Sequence, residues 1–393
     1  MRPFAPTARG AESLMARIVI VYNTERFGIA TPVDMARIQL LETARSLARL
    51  GHDVDIATSE IVLQLRRRQV VMADRLRRVA LSRVRWRDYD VVETNFHQGW
   101  ESLAKCGGHD HPFIVSKLGS VVGASDMPGV YYYGRIREQM YETQRAIHAS
   151  ARYITLLSRA AQLLWTESLG ARDGHLLMPG GVASEIPARG PDPFPARTGF
   201  RILFSGNIYT ARSQPEANRV ICEKLNGLGQ RLAPSGRVFF AGPGDTRRLD
   251  PRHVTVLGAT PYEASWQHML HADVGIVVSA GAFMHNNESS KIYHYLRAGL
   301  PIVSEAGFPN DNVVHESGLG FVVPSDDMDT MAARILDAAR ATWNREAAQR
   351  YVVANHTWER RVEAYRAILD RHFPTPALAA YGSVRLDGTS ATR

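Results

Sequence analysis

The chain has 393 residues but only four lysines. One of them, Lys291, closes the run His285-Asn286-Asn287-Glu288-Ser289-Ser290-Lys291, directly ahead of the apolar-periodic stretch KIYHYLRAG. Two hydroxyls, a cation and the unpaired amides of a helix start would converge there, which is chemistry suited to phosphate. Ser289 or Ser290 could equally serve only as the helix cap. Two glycine turns follow strand-like runs. In FSGN (204–207), Gly206 and Asn207 would let backbone approach an anion, and Arg212 could hold a diphosphate bidentately. In AGPGD (241–245), Gly242 and Gly244 could pass beneath a nucleotide or simply turn the chain. Gly258 ends a further strand-like run, VTVLG.

The first half offers fewer such groups. Gly28 stands in the loop RFGIATP, and His97 follows a strand in ETNFHQGW, where it is a candidate base or sugar contact, or a loop histidine with a local partner. His109 and His111 are two ligands without a third, too few for a zinc site.

These groups need a scaffold, and the hydrophobic pattern supplies one. Short β-rich runs alternate with helical patterns, the arrangement of parallel sheets with right-handed crossovers. A first series places strands at 18–22, 54–57, 91–92, 113–116 and 154–157, with a helix from about Pro32 to Leu50 opened by Thr31, Pro32 and Asp34. Residues 179–195 hold five prolines and three glycines, a connection rather than a packed element. A second series follows, with strands at 201–205, 238–241, 254–257, 274–279, 301–304 and 321–323. In such sheets ligands bind beyond the carboxyl ends of strands, so two sheets facing one another make a cleft.

Composition narrows the class further. Hydrophobic content of 45% supports buried cores, and the length suggests two domains. The start lacks the order of a secretion signal and no apolar run is long enough to span a bilayer, so a cytoplasmic location is expected. Cys106 and Cys222 permit no disulfide framework. The net charge of +8 is local: residues 66–87 carry nine arginines against the single acid Asp74, and the remainder is neutral. A general nucleic-acid coat does not follow, and no nucleic-acid partner is expected. The interleaved Val70, Val71, Leu76, Val79, Leu81, Val84 and Trp86 make this stretch resemble an interfacial segment attracted to anionic lipid, with a solvated helix face as the plain alternative.

Four stretches occur in a telling order: ILFSGNIYTARSQPEANRVI, VTVLGATPYEASWQHMLHADVGIVVS, ESSKIYHYLRAGLPIVSE and HESGLGFVVPSDD. Together they resemble the donor domain of GT-B glycosyltransferases, above all those similar to family 4, the glycosyl transferases group 1 type. RIVIVY with RIQLLETARSLARLGHDVDIAT resembles that family's opening, LLMPGGV its linker strand, and TWERRVEAY its last helix, so the resemblance spans about residues 16–372. It implies an α/β chain of the GT-B class, two Rossmann-like doubly wound domains facing across a cleft. The expected division is an extension at 1–15, an acceptor domain at 16–180, a linker at 181–198, a nucleotide-sugar domain at 199–356, a returning helix at 357–373 and a polar tail at 374–393.

One departure stands out. The family pattern has two glutamates eight residues apart, and Asn286 and His294 occupy those positions here. The resemblance assigns the later one to ribose, so His294 would hold ribose less well or suit another sugar nucleotide, and Glu288 would substitute for the earlier carboxylate. The resemblance thus implies a diphosphate site of Gly206, Asn207, Arg212, Ser290 and Lys291. It implies donor sugar or ribose contacts from Asn286, Asn287, Ser289 and His294, a base loop of Gly242, Gly244 and Gly258, an acceptor-side Gly28, and His97 and Glu288 as catalytic candidates. The expected activity is metal-independent sugar transfer from a UDP- or GDP-sugar, as substrate and without a cofactor, to a cell-surface glycan or lipid-linked acceptor, at an anionic membrane reached through 66–87. A sugar-nucleotide epimerase and a degenerate scaffold binding nucleotide or a partner are the alternatives.

Overall fold

The computed structural model describes residues 15–22, 24, 35–60, 63, 69–125, 134–195, 199–212 and 214–373. Gly28, Thr31, Pro32, Asp34, Arg66, Arg67, Arg68, most of the N-terminal extension and the tail lie outside the described residues.

RIVIVY forms β1 (Arg17–Tyr22), whose Ile18, Val19, Ile20 and Val21 are fully buried. A strand apolar on both faces belongs at the centre of a parallel sheet, and β1 lies between β2 (Asp53–Thr58) and β5 (Val91–Asn95). The sheet continues through β6 (Ile114–Lys117), β7 (Tyr153–Leu156) and β8 (His175–Leu177) on one side, and through β4 (Leu76–Ala80) and β3 (Val70–Ala73) on the other. Its order is β3-β4-β2-β1-β5-β6-β7-β8, parallel except at the β3–β4 hairpin. Helices α1 (Met35–Arg49), α2 (Phe96–Lys105), α3 (Gly134–Ser150) and α4 (Arg159–Leu169) cover its faces.

The second sheet is wholly parallel, in the order β11-β10-β9-β12-β13-β14. It comprises β9 (Phe200–Ser205), β10 (Gly236–Ala241), β11 (Val254–Gly258), β12 (Val274–Val277), β13 (Ile302–Glu305) and β14 (Gly320–Val323). Its helices are α5 (Pro215–Leu232), α6 (Tyr262–His271), α7 (Ser290–Arg297), α8 (Asn312–Ser317), α9 (Met328–Arg340) and α10 (Arg345–Asn355). The chain then returns to the first domain. Val182 of the linker exchanges backbone hydrogen bonds with His356 and Trp358, and α11 (Trp358–Arg361) leads into α12 (Glu363–His372). Tyr365, Ile368 and Leu369 of α12 pack beside Ile18, Ile20 and Val91, and the Tyr365 hydroxyl donates to buried Glu93 at 2.6 Å.

The arginine segment departs from expectation. Its residues 70–80 form a hairpin on the sheet edge instead of a helix face. β2 places Asp55 in register with Arg77, and the guanidinium binds that carboxylate bidentately at 2.7 and 3.1 Å. Arg75 pairs with Asp53 and Arg78 with Glu60. Strand pairing thus neutralises three of the nine cations, and Arg83, Arg85 and Arg87 stay exposed. No helix among the described residues is long and apolar enough to cross a membrane.

Candidate functional site

A glycine directly follows each of β9 and β10 because two backbones must cross there. Gly206 donates its N–H to Ala241 O and Gly242 donates to Gly258 O. A Cβ on Gly242 would lie 1.9 Å from Gly206 O, and one on Gly206 would lie 2.5 Å from Lys291 Cε. Close backbone approach therefore requires glycine at 242, and a φ of 155° favours it at 206. Asn207 accepts the Tyr209 N–H at 2.6 Å, and Asn218 Nδ2 donates to Ile208 O and Asp245 O, which fixes the loop.

These turns floor a cavity of about 450 Å³. Ser205, Gly206, Asn207, Gly242 and Pro243 line one side, and Asn287 through Lys291, with His294, line another. Met35 and Ala36 reach it from α1 of the first domain, so the cavity opens on the cleft between the sheets.

Helix α7 presents its N-terminus to this space. Its first amides have no intrahelical partner, and the Ser289 side chain does not cap it. The anchor is instead Asn310, whose Oδ1 accepts Ser289 N–H and whose Nδ2 donates to Ser289 O. The Ser290 hydroxyl and the Lys291 ammonium thus remain available to a ligand. Lys291 Nζ lies 4.9 Å from the centroid of the Phe204 ring, and no carboxylate among the described residues pairs with it. Desolvation pushes it down to about 8. An ammonium held without a counter-ion against a cavity is poised for an anion.

His294 forms the next part of the wall. A carbonyl can only accept, so Nδ1, 2.7 Å from Ser290 O, carries the proton. Nε2 lies 3.3 Å from the Tyr262 hydroxyl, and the ring stacks on Trp266 at 5.3 Å and 18°. Burial, with Arg297 and Lys291 nearby, pushes the imidazole down to about 4, so it is neutral near pH 7. The Arg297 guanidinium lies over Trp266 at 4.5 Å.

Three successive residues bind across the domain boundary. Asn286 O accepts the Ser158 hydroxyl at 2.6 Å, and Asn287 Nδ2 donates to Ser120 Oγ at 3.1 Å. Glu288 accepts the Gly180 N–H of the linker at 2.8 Å and the Tyr293 hydroxyl at 2.9 Å. Arg361 donates to Gly180 O, which completes the tie between linker, returning helix and cavity. Burial lifts the Glu288 carboxyl to about 7.

The structure thus brings together Gly206, Asn207, Gly242, Asn287, Glu288, Ser289, Ser290, Lys291 and His294 around one cavity. Each Glu288 oxygen accepts one hydrogen bond, which ties this carboxylate of the cavity wall to Gly180 and Tyr293. Arg212 is exposed and Gly244 packs on the Tyr209 backbone, and neither lines the cavity. Gly258 contributes the carbonyl that holds Gly242. His97 does not line it either: the ring is buried, shares Nε2 with Gln144 Oε1 at 3.3 Å, and is pushed down to about 4 by desolvation. His111 spends both ring nitrogens on the backbone of Phe113 and Tyr89. Sequence reasoning missed Asn310, Tyr262, Trp266 and Ser120. The i,i+4 spacing of Tyr262 and Trp266 was a readable signal for a shared helix face, whereas Asn310 and Ser120 carried none.

No family model and no curated protein matches the sequence. Solved structures do match over nearly the whole chain. Sucrose-phosphate synthase from Thermosynechococcus elongatus aligns with a TM-score of 0.68 at 15% identity, covering 91% of this chain and 99% of that one. HepE from Anabaena, in complex with UDP-glucose, gives 0.63 at 13%, covering 91% and 100%. WaaG, a glycosyltransferase involved in lipopolysaccharide biosynthesis, gives 0.58 at 12%, covering 90% and 98%. The chain has the GT-B fold. In GT-B terms, the sheet of β9–β14 is the C-terminal domain, and its loops build most of the cavity.

Proposed function

We propose that this GT-B protein is a glycosyltransferase that takes sugar from a nucleoside diphosphate sugar, UDP- or GDP-linked, and transfers it to a glycan or lipid-linked acceptor. The carrying observation is Lys291, a desolvated ammonium unpaired among the described residues, beside an uncapped helix start and the Gly206 turn. These groups oppose the charge that develops on a departing diphosphate, and they are already oriented before it arrives. The nucleoside takes the part of the cavity walled by the second domain alone: Ala241, Gly242, Thr260, Tyr262, Ser265 and His294. The sugar then lies towards Asn287 and Glu288, where the first domain begins and an acceptor can approach. Solved GT-B structures holding UDP and UDP-glucose support this reading. The test is release of nucleoside diphosphate from UDP- and GDP-sugars with candidate acceptors. Lys291→Ala should reduce it at least a hundredfold with the fold intact, and an unchanged rate refutes the diphosphate role.

The acceptor side carries exposed Arg83, Arg85 and Arg87 around half-buried Trp86. Cations near an anionic bilayer contribute about 1 kcal/mol each, enough for reversible attachment where a lipid-linked acceptor is presented. Co-flotation with anionic vesicles should weaken when the three arginines become glutamine. Unchanged flotation removes the membrane contact.

A further inference from the structure

We propose that the nucleoside part of the cavity does not discriminate a ribonucleotide from its 2′-deoxy counterpart, so that deoxyribonucleoside diphosphate sugars are accepted as donors. This rests on the nucleoside placement given above. The polar group facing that part from α7 is His294. Its Nδ1–H is taken by Ser290 O, which leaves one acceptor, Nε2. Tyr262 faces that acceptor from α6 at 3.3 Å.

Deleting a ligand hydroxyl is costly chiefly when it leaves a buried protein group unsatisfied. That does not happen here. When a ribose hydroxyl is present it can donate to Nε2, and when it is absent the Tyr262 hydroxyl takes the same lone pair. Nε2 keeps a donor in both states. Among the described residues the one carboxylate lining the cavity is Glu288, which accepts from Gly180 and Tyr293 and lies in the part assigned above to the sugar. Stacking on Trp266 fixes the imidazole plane, which keeps the ring from turning to offer a different edge.

The test is titration calorimetry of the full chain with UDP and with 2′-deoxy-UDP. The wild type should bind both with Kd values within about threefold. A tenfold or greater loss for the deoxy nucleotide overturns the proposal. Tyr262→Phe removes the substitute donor, and the same deoxy-to-ribo ratio should then open to about tenfold. A ratio unchanged in Tyr262→Phe also overturns it, because the ribose would then not meet His294 at all. Since each ratio is internal to one protein, a general loss of stability does not imitate the effect. Failure of the wild type to bind either nucleotide refutes the donor site itself, and this proposal with it.

Discussion

Replacing Lys291 by methionine should separate stability from binding. The side chain keeps its length and its contact with Gly206 and Phe204, and only the charge is lost. Desolvation takes the ammonium from 10.5 to about 8 in the native protein, which corresponds to roughly 3 kcal/mol against the charged form. Water reaching the partly exposed side chain reduces this to about 1–2 kcal/mol. The native state holds this proton less tightly than the unfolded chain does. Stability therefore rises with pH between about 8 and 10.5, and the full penalty is present below about 8. Lys291→Met should thus melt a few degrees higher than wild type at pH 7, a difference that shrinks as pH rises towards 10. With ligand the order reverses. A saturating nucleotide at about a hundred times its Kd stabilises wild type by roughly 2.7 kcal/mol, and the variant should lose nearly all of that shift. Differential scanning fluorimetry at pH 7 and pH 9, with and without UDP, reads both effects. A variant less stable than wild type at pH 7, or one that retains the UDP shift, refutes the reasoning.

Gly242→Ala would place a Cβ 1.9 Å from Gly206 O; the C-terminal domain should melt earlier by several kcal/mol, and an unchanged chemical-denaturation midpoint would contradict the crossing of the two turns. Glu288→Gln removes a carboxyl raised to about 7. The native charge penalty is absent below about pH 4.5 and complete above about 7, so the stability of Glu288→Gln relative to wild type should rise across that interval, and a pH-independent difference would contradict it. Tyr365→Phe strands Glu93 beneath α12, with an expected loss of about 1–3 kcal/mol and faster proteolysis near the C-terminus; wild-type resistance would show the returning helix is held otherwise.

Legibility in the sequence followed the range of the forces involved. Buried parallel strands announce themselves as continuous apolar runs, so β1, β9 and β12 could be read directly. The hairpin β3–β4 could not. Its arginines look like a charged surface until Asp53 and Asp55, some 22 residues earlier, arrive beside Arg75 and Arg77 through strand register. His97 shows the same limit: a polar residue after a strand suggested a cleft, but its partner Gln144 lies 47 residues away.

The sequence by itself determined the two α/β halves, the glycine turns and the convergence of Ser290 and Lys291 on a helix start, because each depends on residues adjacent in the chain or on a short hydrophobic period. Only the tertiary structure decided which of those groups stay unsatisfied. Among the described residues Lys291 has no acid beside it, His294 already has Tyr262 and Ser290, and Glu288 is tied to Gly180 and Tyr293. Whether a buried polar group is available for a ligand depends on partners delivered from distant segments by packing, and no local spacing encodes that.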